Sequence, residues 1–326
     1  MAGNLRGWIK EHRAKIRASP LRGLLHAVFT AYLGFWYTLT SRWPFGTHVY
    51  DEDWDLLVIL DACRVDVLDD VADEYAFIET VDSRWSIGSH SHEWLTQTFS
   101  RAHEAEIAET AYISGNGHTY ETFTEREYPP DETVPVCRPN WNGVDERDFG
   151  HLDMLWETAH TDGIGVPPRA ITDRTVEVAR ESEYDRTVAH YMQPHIPYIS
   201  QAVAEDRQPT ELESRGWKHL ESGTADRSEI WELYEDNLRL VLDEVELLLE
   251  NVDAETVVVT ADHGNAFGEY TITGHPEGML LPSVRRVPWV TTTATDTGTF
   301  DPDGDYGTAS EDTTDINDHL EDLGYL

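Results

Sequence analysis

The sequence predicts an α/β protein in which a mostly parallel central sheet carries helices on both faces, a three-layer sandwich. Three observations carry that expectation. Short continuous apolar runs, WDLLVIL (54–60) and TVVVTA (256–261), have the composition of strands buried on both sides. Helical periodicity alternates with them. It is clearest at 228–251, where Ile230, Leu233, Leu238, Val241, Leu242, Val245 and Leu249 form a stripe between acidic positions. The chain is also 326 residues long and 40% hydrophobic with 11 Trp, enough for a substantial core.

Taken in order, residues 1–50 read as a basic helical segment. Nineteen residues from Gly23 to Ser41 carry no charge, and Leu21, Leu25, Val28, Tyr32, Phe35 and Leu39 recur at helical spacing. Two placements are open. The helix packs on the domain, or residues 1–45 make peripheral membrane contact, the basic part meeting anionic headgroups and Trp36, Tyr37 and Trp43 sitting at the interface. A true span is disfavoured by His26 and several Thr. A catalytic domain over 51–326 follows, with further strands expected at 75–81, 110–114, 186–192 and 287–293 and a helix at 93–107. Residues 115–170, rich in Gly, Pro, Asn and His, read as a loop-rich insertion near the site. A loop at 295–311 and a short helix at 316–326 close the chain, and no internal repeat is visible.

Charge excludes some functions. With 24 Lys and Arg against 62 Asp and Glu the net charge is −38, which repels nucleic-acid backbones. Seven basic residues and one acid, Glu11, put +6 on residues 1–50 and leave −44 on the remainder. Only Lys10, Lys15 and Lys218 are lysines. Such an acidic, lysine-poor body suits molar salt, where the Debye length falls to about 3 Å, and points to a halophilic cytoplasm. Cys63 and Cys137 make neither a disulfide framework nor a zinc motif, and no cleavable leader is visible. The expected location is cytoplasmic, with possible membrane association.

Metal-ligand residue types gather where strands end, the edge at which parallel α/β sheets bind ligands. WDLLVIL runs into Asp61, TVVVTA into Asp262-His263-Gly264, and RTVAHYM towards His195; Gly274-His275-Pro276 follows on a loop. Carboxylates and imidazoles together suit one or two divalent ions: zinc, manganese, magnesium or calcium.

LDACR, a serine-rich helix start, HYMQPHIPY, VVVTADHGNAFGE and TGHPEG occur in this order between about 54 and 290. Together they resemble the alkaline phosphatase superfamily, in its sulfatase and lipid-phosphoethanolamine-transferase branches. The resemblance implies Asp61, Asp262 and His263 as ligands of a metal that also binds the nucleophile. It further implies His195 and His275 at a second metal or at the oxygens of the transferred group.

The nucleophile is expected within SRWSIGSHSHEWLTQTF (83–99): Ser91 first, then Ser89, then Ser86. Ser91 precedes an apolar helix whose terminal amides would favour an alkoxide, although a plain capping serine would sit there too. His90 and His92 flank it as acid–base helpers or solvent-facing residues. Arg64 is expected to pair with Asp61 or hold substrate charge, Asn265 to bind substrate or metal, His190 to be structural, although its distance from His195 would permit a role, and Glu269 to be a surface acid. Two departures from sulfatases stand out. The second acid after strand one is replaced by Ala62, and Cys137-Arg138-Pro139-Asn140 lacks the Ser and Arg of the formylglycine motif.

The reading that follows is a metal-dependent hydrolase or transferase acting on phosphate esters through a covalent seryl intermediate. Its substrate would be a small-molecule, glycan or lipid-linked ester. The alternatives are sulfate-ester hydrolysis on the same site, and a non-catalytic binding protein of the same fold in surface-glycan assembly.

Overall fold

The computed structural model describes residues 4–181 and 184–302. The helix expected at 316–326 and most of the second half of the 295–311 loop lie outside them.

Two helices, α1 (Leu5–Ala18) and α2 (Pro20–Thr40), form a hairpin turned at Ser19. The body follows as β1 (Leu56–Leu60), α3 (Val65–Val71), β2 (Asp82–Trp85), α4 (Ser91–Thr98), α5 (Glu104–Ala108) and β3 (Thr110–Ser114). Next come a single turn α6 (His118–Tyr120), β4 (His151–Met154), α7 (Pro168–Glu181) and β5 (Arg186–Tyr191). Then come α8 (Ser200–Ala204), α9 (Glu211–Ser222), α10 (Arg227–Leu249) and β6 (Ala254–Thr260). A small hairpin of β7 (Ala266–Phe267) and β8 (Thr273–Gly274), then α11 (Pro282–Arg285) and β9 (Arg286–Ala294), end the described chain.

Seven strands form one sheet in the order β2-β9-β6-β1-β5-β3-β4. Only β9 runs against the others. The mostly parallel sheet expected from the apolar runs is therefore present. Its layers follow from side-chain alternation. Leu56, Val58 and Leu60 face a core built with α3, α7 and α10, while Leu57 and Ile59 face Trp94, Phe99, Tyr112, Phe123 and Phe149. The stripe on α10 is buried as its spacing requires, except for Leu233, which is half-buried.

Three expectations change. No strand forms at 75–81; Tyr75 and Ile78 enter the core from a turn, and the Tyr75 hydroxyl donates to Arg239 O and Asp243 Oδ1. The edge strand is β2 instead. The helix expected over 93–107 breaks after Thr98, because Phe99 turns inward to stack on Tyr112 at 4.8 Å. Residues 115–170 also contribute a strand, β4, at the edge beside β3. Helix α7, not anticipated, buries Ile171, Val176 and Val178 against the sheet.

The α1–α2 hairpin packs on the body through a different face from the apolar stripe. Leu33, Trp36 and Tyr37 are buried with Val134 and Cys137 of the 115–170 segment, so Trp36 and Tyr37 are not interfacial. Gly34 is required there, since a Cβ would overlap Val136 O. Leu21, Leu25, Val28, Phe35 and Leu39 are exposed.

His48, stacked on His103 at 4.2 Å, gives a pH test away from the site. Burial pushes its pKa down to about 4 from 6.5. The unfolded chain therefore binds the proton more readily, so this contribution is present above pH 6.5 and lost as pH falls towards 4. Urea titrations of His48→Gln should show a shallower loss of stability across that window than the parent chain.

Candidate active site

The strand order decides which strand ends become neighbours. Because β6, β1, β5 and β3 are adjacent, their carboxyl ends bring Asp262, Asp61, His190 and Asn116 to one point. Asp61 leaves β1 with its backbone N–H on Tyr191 O at 3.0 Å, and the next residue, Ala62, takes φ +60°. That left-handed turn is uncommon for a residue with a Cβ. It is held by Ala62 N–H donating to Asp262 Oδ1 at 3.1 Å and by the Tyr234 hydroxyl donating to Ala62 O at 2.6 Å. Gly264 fits where a Cβ would overlap Ser283 O, which fixes the glycine of the DHG element sterically.

Ser91 is the first residue of α4, and His90 occupies the cap position without a side-chain cap bond. The Ser91 hydroxyl therefore does not cap the helix. It donates to Asp61 Oδ2 at 3.3 Å and lies 3.4 Å from His263 Nε2. Asn116 Nδ2 donates to the same Asp61 oxygen at 2.9 Å. His263 Nε2 stands 3.4 Å from Asp262 Oδ2, and its Nδ1 meets Gly264 O at 2.9 Å. His195 Nε2 meets His275 Nε2 at 3.0 Å, and the His275 ring lies 4.3 Å from that of His263.

His190, expected to be structural, belongs to this group. Its Nδ1 is held by the Tyr112 hydroxyl at 2.7 Å, and its Nε2 stands 4.0 Å from Asp262 Oδ2. Neither that nitrogen nor Asp262 Oδ2 makes a hydrogen bond, although both residues are fully buried. Asn265 is likewise fully buried with both side-chain amide atoms free of hydrogen bonds.

Electrostatics favours neutral imidazoles here. Burial lowers the pKa of His190 and His195 to about 4, and those of His263, His275 and His90 also fall. Mutual repulsion among the histidines adds to the effect on His195 and His275. Burial pushes the Asp262 carboxyl up, but His263 and His190 outweigh it and hold the group below the usual range. Neutral imidazoles and an ionised carboxylate are the forms that ligate metal.

The atoms of Asp61, His190 and Asp262 lie within 4.8 Å of one another, as metal ligands must. Two more such groups border the site: His92, His118 and Glu121, and His90, Asp131 and Glu277. In the first, both His92 nitrogens are engaged, Nδ1 with Asp131 Oδ1 at 2.9 Å and Nε2 with Glu127 O at 3.0 Å. Burial opposes charge on His92, but Asp131 prevails and raises its pKa to about 9. His92 is thus a cation pinning α4 to the 115–170 segment. In the second, burial and Asp131 push Glu277 up to about 8.

Five other expectations are corrected. Ser89 is turned away, with its hydroxyl and N–H both donating to Glu93 Oε2. Ser86 clamps a neighbouring strand end by donating to Asp262 O. Arg64 does not pair with Asp61: it binds Asp66, Asn265 O and Glu269. Glu269 is accordingly a half-buried partner of Arg64. His90 and His92 are both buried, so neither faces solvent. Residues the sequence reading missed are Asn116, which has only the Asn-Gly turn after a strand to mark it, and the Glu93–Arg285 pair. The latter are 192 positions apart and carry no signal.

No family model matches the chain, and no curated protein matches it in sequence. Among solved structures it is similar to the soluble domain of lipooligosaccharide phosphoethanolamine transferase A from Neisseria meningitidis (14% identity, 74% of this chain and 76% of that one, TM-score 0.48). It is also similar to the zinc-bound periplasmic domain of EptC from Escherichia coli (13% identity, 77% and 76%, TM-score 0.36). A third is a 2-O GAG sulfatase (12% identity, TM-score 0.41), of which the chain spans 64% while 74% of the chain itself is covered. Likenesses this remote assign no chemistry.

Proposed function

We propose that the chain is a metal-dependent hydrolase or transferase of phosphate esters that works through a covalent seryl intermediate. The observation that supports it best is the convergence of the Ser91 hydroxyl with Asp61, Asp262, His263 and His190. Two buried ligand-type atoms there, His190 Nε2 and Asp262 Oδ2, make no hydrogen bond. Buried polar atoms are rarely left so unless something else satisfies them, and this donor set of two carboxylates and two imidazoles suits zinc or manganese.

Asp61, Asp262, His263 and His190 would hold the ion, which supplies positive charge that lowers the pKa of the serine hydroxyl and stabilises the charge of the transition state. The chain's own groups do the rest. Asp61 Oδ2 accepts the hydroxyl proton of Ser91, and Asn116 holds that carboxylate in place. Ser91 Oγ then attacks phosphorus, forming the O–P bond as the bond to the leaving oxygen breaks in line, and the departing alkoxide takes a proton from solvent water. His195 and His275, whose Nε2 atoms meet at 3.0 Å beside His263, would hold the nonbridging oxygens. Water or an acceptor alcohol next takes the group from Ser91. Cys63 is no rival nucleophile, since burial drives its thiol pKa well up. Cys137 is buried against α2 in the cluster of Leu33 and Trp36.

Assays belong in molar salt with added zinc or manganese, using aryl phosphate, phosphodiester and aryl sulfate in parallel. Cleavage of a phosphate ester is expected. Cleavage of sulfate alone would transfer the chemistry to sulfate esters, and no cleavage by metal-loaded protein would refute an enzymatic role. Elemental analysis should find divalent metal in the purified chain. Chelation should abolish activity, and His190→Ala should weaken metal retention by about tenfold or more. Unchanged metal content in both His190→Ala and Asp262→Asn would remove this site from consideration.

A further inference from the structure

The α1–α2 hairpin presents an apolar ridge that nothing in the described chain covers. Leu21 is 70% exposed, Leu25 60%, Val28 61% and Phe35 65%, and past the end of the helix Trp43 is 67% exposed. Scattered exposed apolar residues are ordinary, but several large ones repeated along one side of a helix mark an interaction surface. The opposite face of α2 is committed to the protein. The Trp36 indole donates to Glu93 and the Tyr37 hydroxyl meets His90 Nε2 at 3.2 Å, while Tyr32, half-buried within the stripe itself, donates to Gly278 O at 2.7 Å. α2 can therefore present the ridge only sideways, lying along a surface.

Charge selects the occupant. The hairpin exposes Arg6, Lys10, Arg13, Arg17, Arg22 and Arg42, on a chain whose remaining residues are strongly acidic. Two copies meeting ridge to ridge would oppose like-charged hairpins. A bilayer with anionic headgroups is complementary on both counts, taking apolar side chains at the acyl boundary and cations among the phosphates. We propose that α1 and α2 dock this protein flat on an anionic membrane surface. The Tyr37–His90 contact, one residue from Ser91, then sets the active site about one helix diameter, ~10 Å, from the lipid.

Sedimentation of the full chain with vesicles tests this without reference to catalysis. At the lowest salt at which circular dichroism shows the chain folded, the protein should pellet with phosphatidylglycerol/phosphatidylcholine vesicles, and Arg13→Glu should weaken that by about fivefold. The paired substitution Val28→Glu, Phe35→Glu should lower binding by about tenfold or more. It should leave circular dichroism and turnover of a soluble aryl ester unchanged, because both side chains point away from the body. Molar salt should remove the preference for anionic over neutral vesicles while binding through the ridge persists. A chain that stays in the supernatant at low salt overturns the proposal. So does binding that ignores the ridge substitutions, or a ridge-dependent dimer in size-exclusion chromatography with no affinity for vesicles.

Discussion

Ser91→Ala is expected to reduce phosphate-ester cleavage by at least about 10³-fold while leaving folding and bound metal essentially intact. The hydroxyl reaches the carboxylate–imidazole cluster through Asp61 Oδ2 and His263 Nε2. It contributes nothing to capping its helix, so its loss removes chemistry and little stability. Ser89→Ala is the informative control. Its hydroxyl serves Glu93 and should cost stability, not the chemical step. Steady-state rates for the two variants, measured beside their urea midpoints, separate the roles. Undiminished turnover in Ser91→Ala would displace the seryl mechanism.

The largest effect on stability is expected at Glu93 and Arg285. Both are fully buried, and Arg285 Nη2 donates to both Glu93 oxygens at 3.0 and 2.9 Å. Glu93 also accepts from Trp36 Nε1, Gln97 Nε2 and both donors of Ser89, while Arg285 donates to Met279 O and lies over the Trp36 ring. This one pair thus joins α4, α2, the serine-rich turn and the end of α11. Glu93→Ala or Arg285→Ala should each cost about 3–5 kcal/mol, because the remaining charge is stranded where water cannot reach it. Glu93→Leu with Arg285→Met should recover part of that loss, the stranded charge being gone. Equilibrium urea unfolding in molar salt measures all three. Losses below about 1 kcal/mol for the single variants would mean that the pair is solvated in solution.

Much of the layer structure was legible in the chain because burial on both sheet faces demands unbroken apolar runs. That is why 54–60 and 256–261 mark the central strands and 228–251 the long helix. The run at 75–81 misled for a physical reason: two well-spaced large side chains, Tyr75 and Ile78, satisfy the core equally well from a turn. Candidate ligands were legible where a strand led directly into Asp61 or Asp262-His263. His190 was not, since a histidine inside an apolar strand looks the same whether it packs or ligates. Only the adjacency of β5, β1 and β6 turns it towards Asp262.

The division is sharpest on α2. Spacing alone established a helix there and an apolar stripe along it, because periodicity is a local property. Which face would be buried is a long-range matter. The body accepts the side carrying Gly34, Trp36 and Tyr37, where small and aromatic residues allow close approach and hydrogen bonds to Glu93 and His90. The stripe is left outside. Likewise residue type and order determined that carboxylates, imidazoles and a serine would gather at the carboxyl edge of the sheet. Residue order already ranked Ser91 first among the three serines, and the capture of Ser89 by Glu93, four residues on, is a local contact. Only the capture of Ser86 by Asp262 O, 176 positions away, depends on the tertiary structure.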